Sequence, residues 1–283
     1  MTRAHLVERL AERLGGLAGA PRALVAAPTI APAVDPAQPV IAIDILITAG
    51  LQISPDGRLR SRILEELTIV QHQLLRSIAQ ATQPASARSG IVVVTSALPG
   101  EGKSFISLNL AAGLASRSGR QVILVDADGR RGGLSHALGI ADAPGLRHLA
   151  ADPLRAPAPL LRGTALARLR VLGFGASLAE PRDTPAGGTM GAALLRLAAA
   201  CPDALVLIDT PPCLSTSDAS ALAAVAGQVV VVVDSARTQR NEVEATLDML
   251  EACPVLQLLL NRVRFTANDT FGAHGDYGAP DAA

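Results

Sequence analysis

The stretch TSALPGEGKSFISLNLA at residues 95–111 holds Lys103, the only lysine in a chain of 283 residues whose other 24 basic side chains are all arginine. Pro99, Gly100, Glu101 and Gly102 precede it and Ser104 and Phe105 follow, between an apolar strand-like run at 91–95 and a helical pattern at 104–117. A strand, a tight glycine-bearing loop and a helix N-terminus, in that order, aim consecutive backbone N–H groups at one spot, and such a spot binds phosphate. Gly100 and Gly102 permit backbone angles and a close approach that a Cβ would obstruct. Lys103 would bring a compact ammonium to the β- and γ-phosphates of a nucleotide, and Ser104 a hydroxyl to Mg2+. A planar guanidinium is too wide to thread a backbone-lined loop, so a chain otherwise given over to arginine still needs lysine here. The strict G-x-x-x-x-G-K-[ST] spacing is not met, because Ala97 holds the first glycine position.

Acidic residues at two other places complete the chemistry. VILVDADGRR sets Asp126 and Asp128 just past an apolar run, and ALVLIDTPP sets Asp209 past another. Both then fall on the C-terminal edge of a parallel sheet, where open α/β folds bind their ligands. Carboxylates there can hold Mg2+ directly or through water, and one can orient or deprotonate a nucleophile. A strand-end aspartate also serves as a plain helix cap, which is the alternative for Asp128 and Asp209.

These residues need a scaffold, and the periodicity supplies one. Apolar runs at 91–95, 121–126, 169–172, 204–209, 228–234 and 255–260 alternate with helical segments at 104–117, 189–200, 218–226 and 241–252. Such alternation predicts an α/β fold with a mostly parallel, doubly wound sheet covered on both faces. The expected organisation is an amphipathic helix at 1–17, a Pro/Ala-rich linker at 18–39, an extension at 40–89, the main nucleotide-binding domain at 90–265 and a Gly/Ala/Asp-rich tail at 266–283. The first helix could dock on a partner or a membrane, or pack on its own domain. Twenty-five acidic side chains balance 25 basic ones, so no overall field attracts nucleic acid. No apolar run reaches the ~18 residues that cross a bilayer, and the charged N-terminus is not a signal peptide, so a cytoplasmic chain is expected. Cys201, Cys213 and Cys253 show no disulfide or zinc spacing and read as reduced.

TSALPGEGKS, VILVDADGRR and LVLIDTPP resemble, in order, the Walker A, Walker A′ and Walker B motifs of the bacterial tyrosine kinases that control capsule and exopolysaccharide export. AIDILITAGLQISPDGRLRSRILEEL and SALPGEGKSF are similar to the exosortase-associated, PEP-CTERM-locus tyrosine autokinases within that family, members of the MinD-like group of P-loop NTPases. The resemblance spans about residues 40–265. It implies ATP and Mg2+ as cofactors, Lys103 on the phosphates, Ser104, Asp128 and Asp209 on the metal, and Asp126 as base toward a tyrosine. Asn261 matches the family's adenine-contacting asparagine, with a strand-end turn as its alternative role. A membrane polysaccharide copolymerase as activator, a homo-oligomer, and peripheral placement on the inner membrane through that partner are implied as well.

The sequence departs from the family in four respects. The tail carries one tyrosine, Tyr277, where relatives carry a cluster; it is the candidate phosphoacceptor or a merely solvated side chain. Glu65 is followed by Thr68 and Gln71 where a Glu-x-x-Arg-x-x-Arg helix joins subunits into a ring. Gly132 replaces a common proline, and no membrane segment is fused. Two further functions compete with the autokinase. One is an ATP-gated switch of the MinD/ParA partitioning type, which needs a second loop lysine that this chain lacks; the other is a degenerate kinase acting as a structural regulator.

Overall fold

The computed structural model describes residues 40–52, 62–80, 87–177 and 186–263. The predicted helix at 1–17, the linker at 18–39, a turn that SPDGR predicts at 54–58 and the tail with Tyr277 lie outside the described residues. Seven strands form one sheet: β1 (Ile91–Ser96), β2 (Val122–Asp126), β3 (Arg162–Gly163), β4 (Leu169–Leu172), β5 (Leu205–Asp209), β6 (Gln228–Asp234) and β7 (Leu256–Asn261). Their order is β3-β4-β2-β5-β1-β6-β7, parallel throughout except for the short β3.

Strands β1, β2, β5 and β6 are buried along their whole length, which is why they read as unbroken Val/Ile/Leu runs and not as alternating ones. Alternate residues feed two cores. Ile91, Val93, Ile123, Val125 and Ile208 pack under α6 (Ala186–Ala200), α7 (Asp218–Ala223) and α8 (Arg240–Met249). Val92, Val94, Leu124, Leu207 and Val230 pack under α3 (Lys103–Arg117), together with Leu46 of α1 (Ile43–Thr48) and Leu67 and Leu74 of α2 (Arg62–Gln80). Two short helices missing from the sequence reading, α4 (Leu134–Ala137) and α5 (Leu146–Ala151), follow β2. At the start of the extension Ile41 makes an isolated bridge to Thr164, just after β3, and the chain then turns into α1.

The extension is clamped to the phosphate-loop helix. The Asn109 amide in α3 donates to the Gly50 carbonyl at 3.0 Å and accepts from the Gln52 N–H at 2.8 Å. Leu67, Gln71 and Leu74 make one buried stripe of α2 facing α3. Close approach is possible because residue 113 is glycine: a Cβ there would stand 1.9 Å from Gln71 Nε2. Arg117 then donates to Thr68 Oγ1 and, at 3.2 Å, to Gln71 Oε1. The two positions at which the resembling family carries ring-forming arginines are thus bonded within this chain.

Candidate active site

The loop after β1 is built to be rigid. Gly100 (φ 82°) and Gly102 (φ 96°) adopt left-handed backbone that favours glycine, and Gly102 opens α3. Glu101, only 2% exposed, turns its side chain inward. Its Oε2 accepts from the Leu98 N–H at 2.7 Å, and its Oε1 from Thr238 Oγ1 and the Asp234 N–H. From outside, the Asn261 amide at the end of β7 donates to the Glu101 carbonyl at 2.8 Å, and a Cβ on Gly102 would sit 2.3 Å from that amide. Asn261 therefore braces the loop itself, while its Oδ1 accepts from the Arg262 N–H at 2.9 Å. Phe105 packs against the Gly50 turn and the core under α3, so among the binding residues read from the sequence Glu101 and Phe105 face the cradle only through backbone.

The acidic residues converge on this loop. Asp126 and Asp209 are register neighbours at the ends of β2 and β5, and β5 lies beside β1. The Lys103 ammonium lies 2.5 Å from Asp128 Oδ2, with both side chains almost fully buried, and Arg130 Nε approaches the same oxygen at 3.2 Å. Asp126 is fully buried and accepts four hydrogen bonds: from the N–H groups of Asp128 (3.0 Å), Gly129 (3.2 Å) and Ser135 (2.8 Å), and from Ser135 Oγ (2.5 Å). It organises the loop that carries Asp128 and Arg130. To act as a base it must give up one of these donors.

Asp209 is the unsatisfied member. Ser107 Oγ donates to its Oδ1 at 3.2 Å, but Oδ2 is buried without a hydrogen-bond partner. Burial pushes its carboxyl up to about 7; Lys103 and the Ser104 hydroxyl oppose the rise, and the charges of Asp126 and Asp128 reinforce it. An orphaned oxygen beside a lysine and a serine, with a second carboxylate near, is a donor set of the hard oxygen kind that Mg2+ takes. Among the described residues no group of three or more His, Cys, Asp or Glu makes a closed metal cage. Ser104, Asp128 and Asp209 would hold Mg2+ only together with substrate oxygens and water, its usual manner of binding.

Ser107 and Ser135 were not found by sequence reasoning. Ser107 stands four residues after Lys103, on the same helix face, and that spacing was a usable signal. Ser135 reaches Asp126 only because the intervening loop folds back, and no spacing announces it.

A strand–loop–helix phosphate cradle with acidic groups on neighbouring strand ends, set in this sheet order, defines a P-loop-type α/β protein. No family model matches the chain. It is 30% identical over 198 residues to the tyrosine-protein kinase CpsD of Streptococcus agalactiae, across 68% of this chain and 82% of that one. It is 38% identical over 214 residues to a Ralstonia nicotianae protein named as a tyrosine-protein kinase, EpsB, across 74% of this chain. Among solved structures, the chimerical protein CapA2B2 superposes with a TM-score of 0.58 at 25% identity, over 80% of this chain and 95% of that one. The VpsO kinase domain does so with 0.54 at 28% identity, over 71% and 97%. The chain belongs to the bacterial tyrosine kinase family. It spans 28% of the length of EpsB. Among the described residues no helix is long and apolar enough to cross a membrane.

Proposed function

We propose that this chain is an ATP-dependent tyrosine kinase that transfers the γ-phosphoryl group to tyrosine, with Tyr277 as acceptor, and so regulates exopolysaccharide or capsule synthesis and export. The observation that carries this reading is the meeting of Lys103, Asp128 and the partnerless Asp209 oxygen at the mouth of one loop. In this reading the backbone N–H groups of residues 99–105 hold phosphate oxygens, and Lys103 exchanges Asp128 for the β- and γ-phosphates. Mg2+, held by Ser104, Asp128 and Asp209, supplies neutralisation of phosphate charge when bound. Asp126 takes the tyrosine proton, and the Ser135 hydroxyl is the donor it can release most readily, since a hydroxyl rotates and an N–H does not. A phenol with a pKa of about 10 needs such a base. Asn261 turns its amide from the Glu101 carbonyl to the adenine.

The link to polysaccharide export, a membrane copolymerase as activator, a homo-oligomer and placement at the inner membrane rest on the motif resemblance. Incubating the full chain with ATP and Mg2+, with its membrane activator where one is found, should give phosphotyrosine that is absent from Lys103→Met and from Tyr277→Phe. Phosphate release with no phosphotyrosine would overturn the kinase reading in favour of a nucleotide switch, and neither activity would leave a structural regulator.

A further inference from the structure

We infer that Arg130 and Arg131 form a substrate lip that selects tyrosines flanked by carboxylates, and that the Asp276-Tyr277 segment is its matching ligand. The inference rests on the kinase reading above and adds the chemistry by which the acceptor is chosen. Arg130 reaches the centre of the site through Nε, 3.2 Å from the Asp128 oxygen that also holds Lys103, while the side chain stays 45% exposed. That exposure leaves part of the guanidinium open to a ligand, and a guanidinium can bind a carboxylate with two parallel hydrogen bonds. Arg131 beside it is exposed and makes no ion pair among the described residues.

The loop under these arginines is fixed before any ligand arrives. Asp126 ties down the Asp128 and Gly129 N–H groups. Gly129 (φ 61°) lies so close to the Phe174 ring that a Cβ would be 2.3 Å from Cδ1. Arg147, whose Cζ is 5.5 Å from the centroid of that same ring, adds positive charge one layer behind. With the backbone fixed, only the two arginine side chains have to be ordered on binding a carboxylate.

Charge and reach both point to residues 265–283 as the occupant. They contain Asp269, Asp276 and Asp281 and no lysine or arginine, and Asp276 directly precedes the only tyrosine of the chain. The described chain leads into this segment two residues past Asn261, which itself bonds the phosphate loop. β2 and β7 are four strand spacings apart, about 19 Å, whereas fourteen extended residues cover up to about 50 Å. Tyr277 can therefore reach the lip of its own chain or of a second copy.

The test uses the full chain carrying Tyr277→Phe and Asp276→Asn, so that its own segment does not compete, with Mg2+ and ATP. Three fluorescent peptides of residues 273–281 are compared: the natural one, one with both aspartates changed to asparagine, and one with both changed to lysine. Exposed ion pairs are individually weak contacts, so the natural peptide should bind and show a KM about five- to tenfold better than the asparagine peptide, with similar kcat. The gap should close in about 0.5 M salt. Arg131→Gln, checked by its melting midpoint, should narrow the gap at least twofold, and Arg131→Glu should narrow it further and improve the lysine peptide. Equal phosphorylation of all three peptides overturns the lip while leaving the kinase intact. Charge-selective binding with no phosphotyrosine overturns the kinase reading while the lip stands. No binding of any peptide overturns the lip.

Discussion

Replacing Asp209 by asparagine isolates the cost of a carboxylate buried with one oxygen unpartnered. In the folded chain this carboxyl holds its proton up to about pH 7, against an ordinary value of 3.8. Folding therefore takes up a proton between these values. The stability this confers is fully present below the ordinary value, drains away as pH rises toward 7, and levels off beyond it. Three units correspond to about 4 kcal/mol in all, and the part lost between pH 5 and pH 8 is about 3 kcal/mol. Urea unfolding of the natural chain and of Asp209→Asn, without metal or nucleotide, measures it: the stability of the natural chain minus that of the variant should fall by about that amount from pH 5 to pH 8. Subtraction cancels the other titrating groups. A difference that stays constant within about 0.5 kcal/mol would refute the burial argument. The same charge should be drawn out by metal: at pH 7 binding of Mg2+ and ATP should release about half a proton per site, seen as a buffer-dependent calorimetric heat that Asp209→Asn lacks.

Lys103→Met should weaken nucleotide binding about 10- to 100-fold in equilibrium titration, the range for a lost charge-assisted contact, and Lys103→Arg should not restore it, because the fork does not fit the loop. Glu101→Ala strands the Leu98 N–H and the Thr238 hydroxyl, whereas the Asp234 N–H keeps Thr238 Oγ1 at 3.2 Å, so it should cost about 2 kcal/mol and lower the melting midpoint by about 6 °C in calorimetry, without touching the phosphates. Gly113→Ala should cost about 1–3 kcal/mol by pushing Gln71 off α3, and adding Gln71→Ala should recover most of it in urea unfolding. A double variant no more stable than Gly113→Ala alone would show that the clash lies elsewhere.

Much of this was legible in the chain. The central strands announced themselves because parallel strands buried on both faces must be apolar at every position, and the phosphate loop because its turn demands glycines and its charge a lysine. Asp126, Asp128 and Asp209 could be placed on one sheet edge from strand ends alone. The division of labour among them could not. That Asp126 is saturated by its own loop, that Asp128 grips Lys103, and that one oxygen of Asp209 is left bare depend on how 127–135 folds back, which no local pattern encodes.

The same holds for Glu101, Asn261, Thr68 and Gln71. The resemblance put Glu101 in the phosphate loop, Asn261 at the adenine or a strand-end turn, and Thr68 and Gln71 where relatives carry arginines; the fold bonds their side chains to Thr238, the Glu101 carbonyl and Arg117. Local sequence settled the central strands, the phosphate loop and the longer helices, because backbone preferences and burial periodicity act over a few residues. Which polar groups are satisfied within the chain, and which are left for a ligand, was decided only when segments more than a hundred residues apart in the chain, such as Glu101 and Asn261, were packed side by side, since hydrogen-bond partners are chosen by proximity in space.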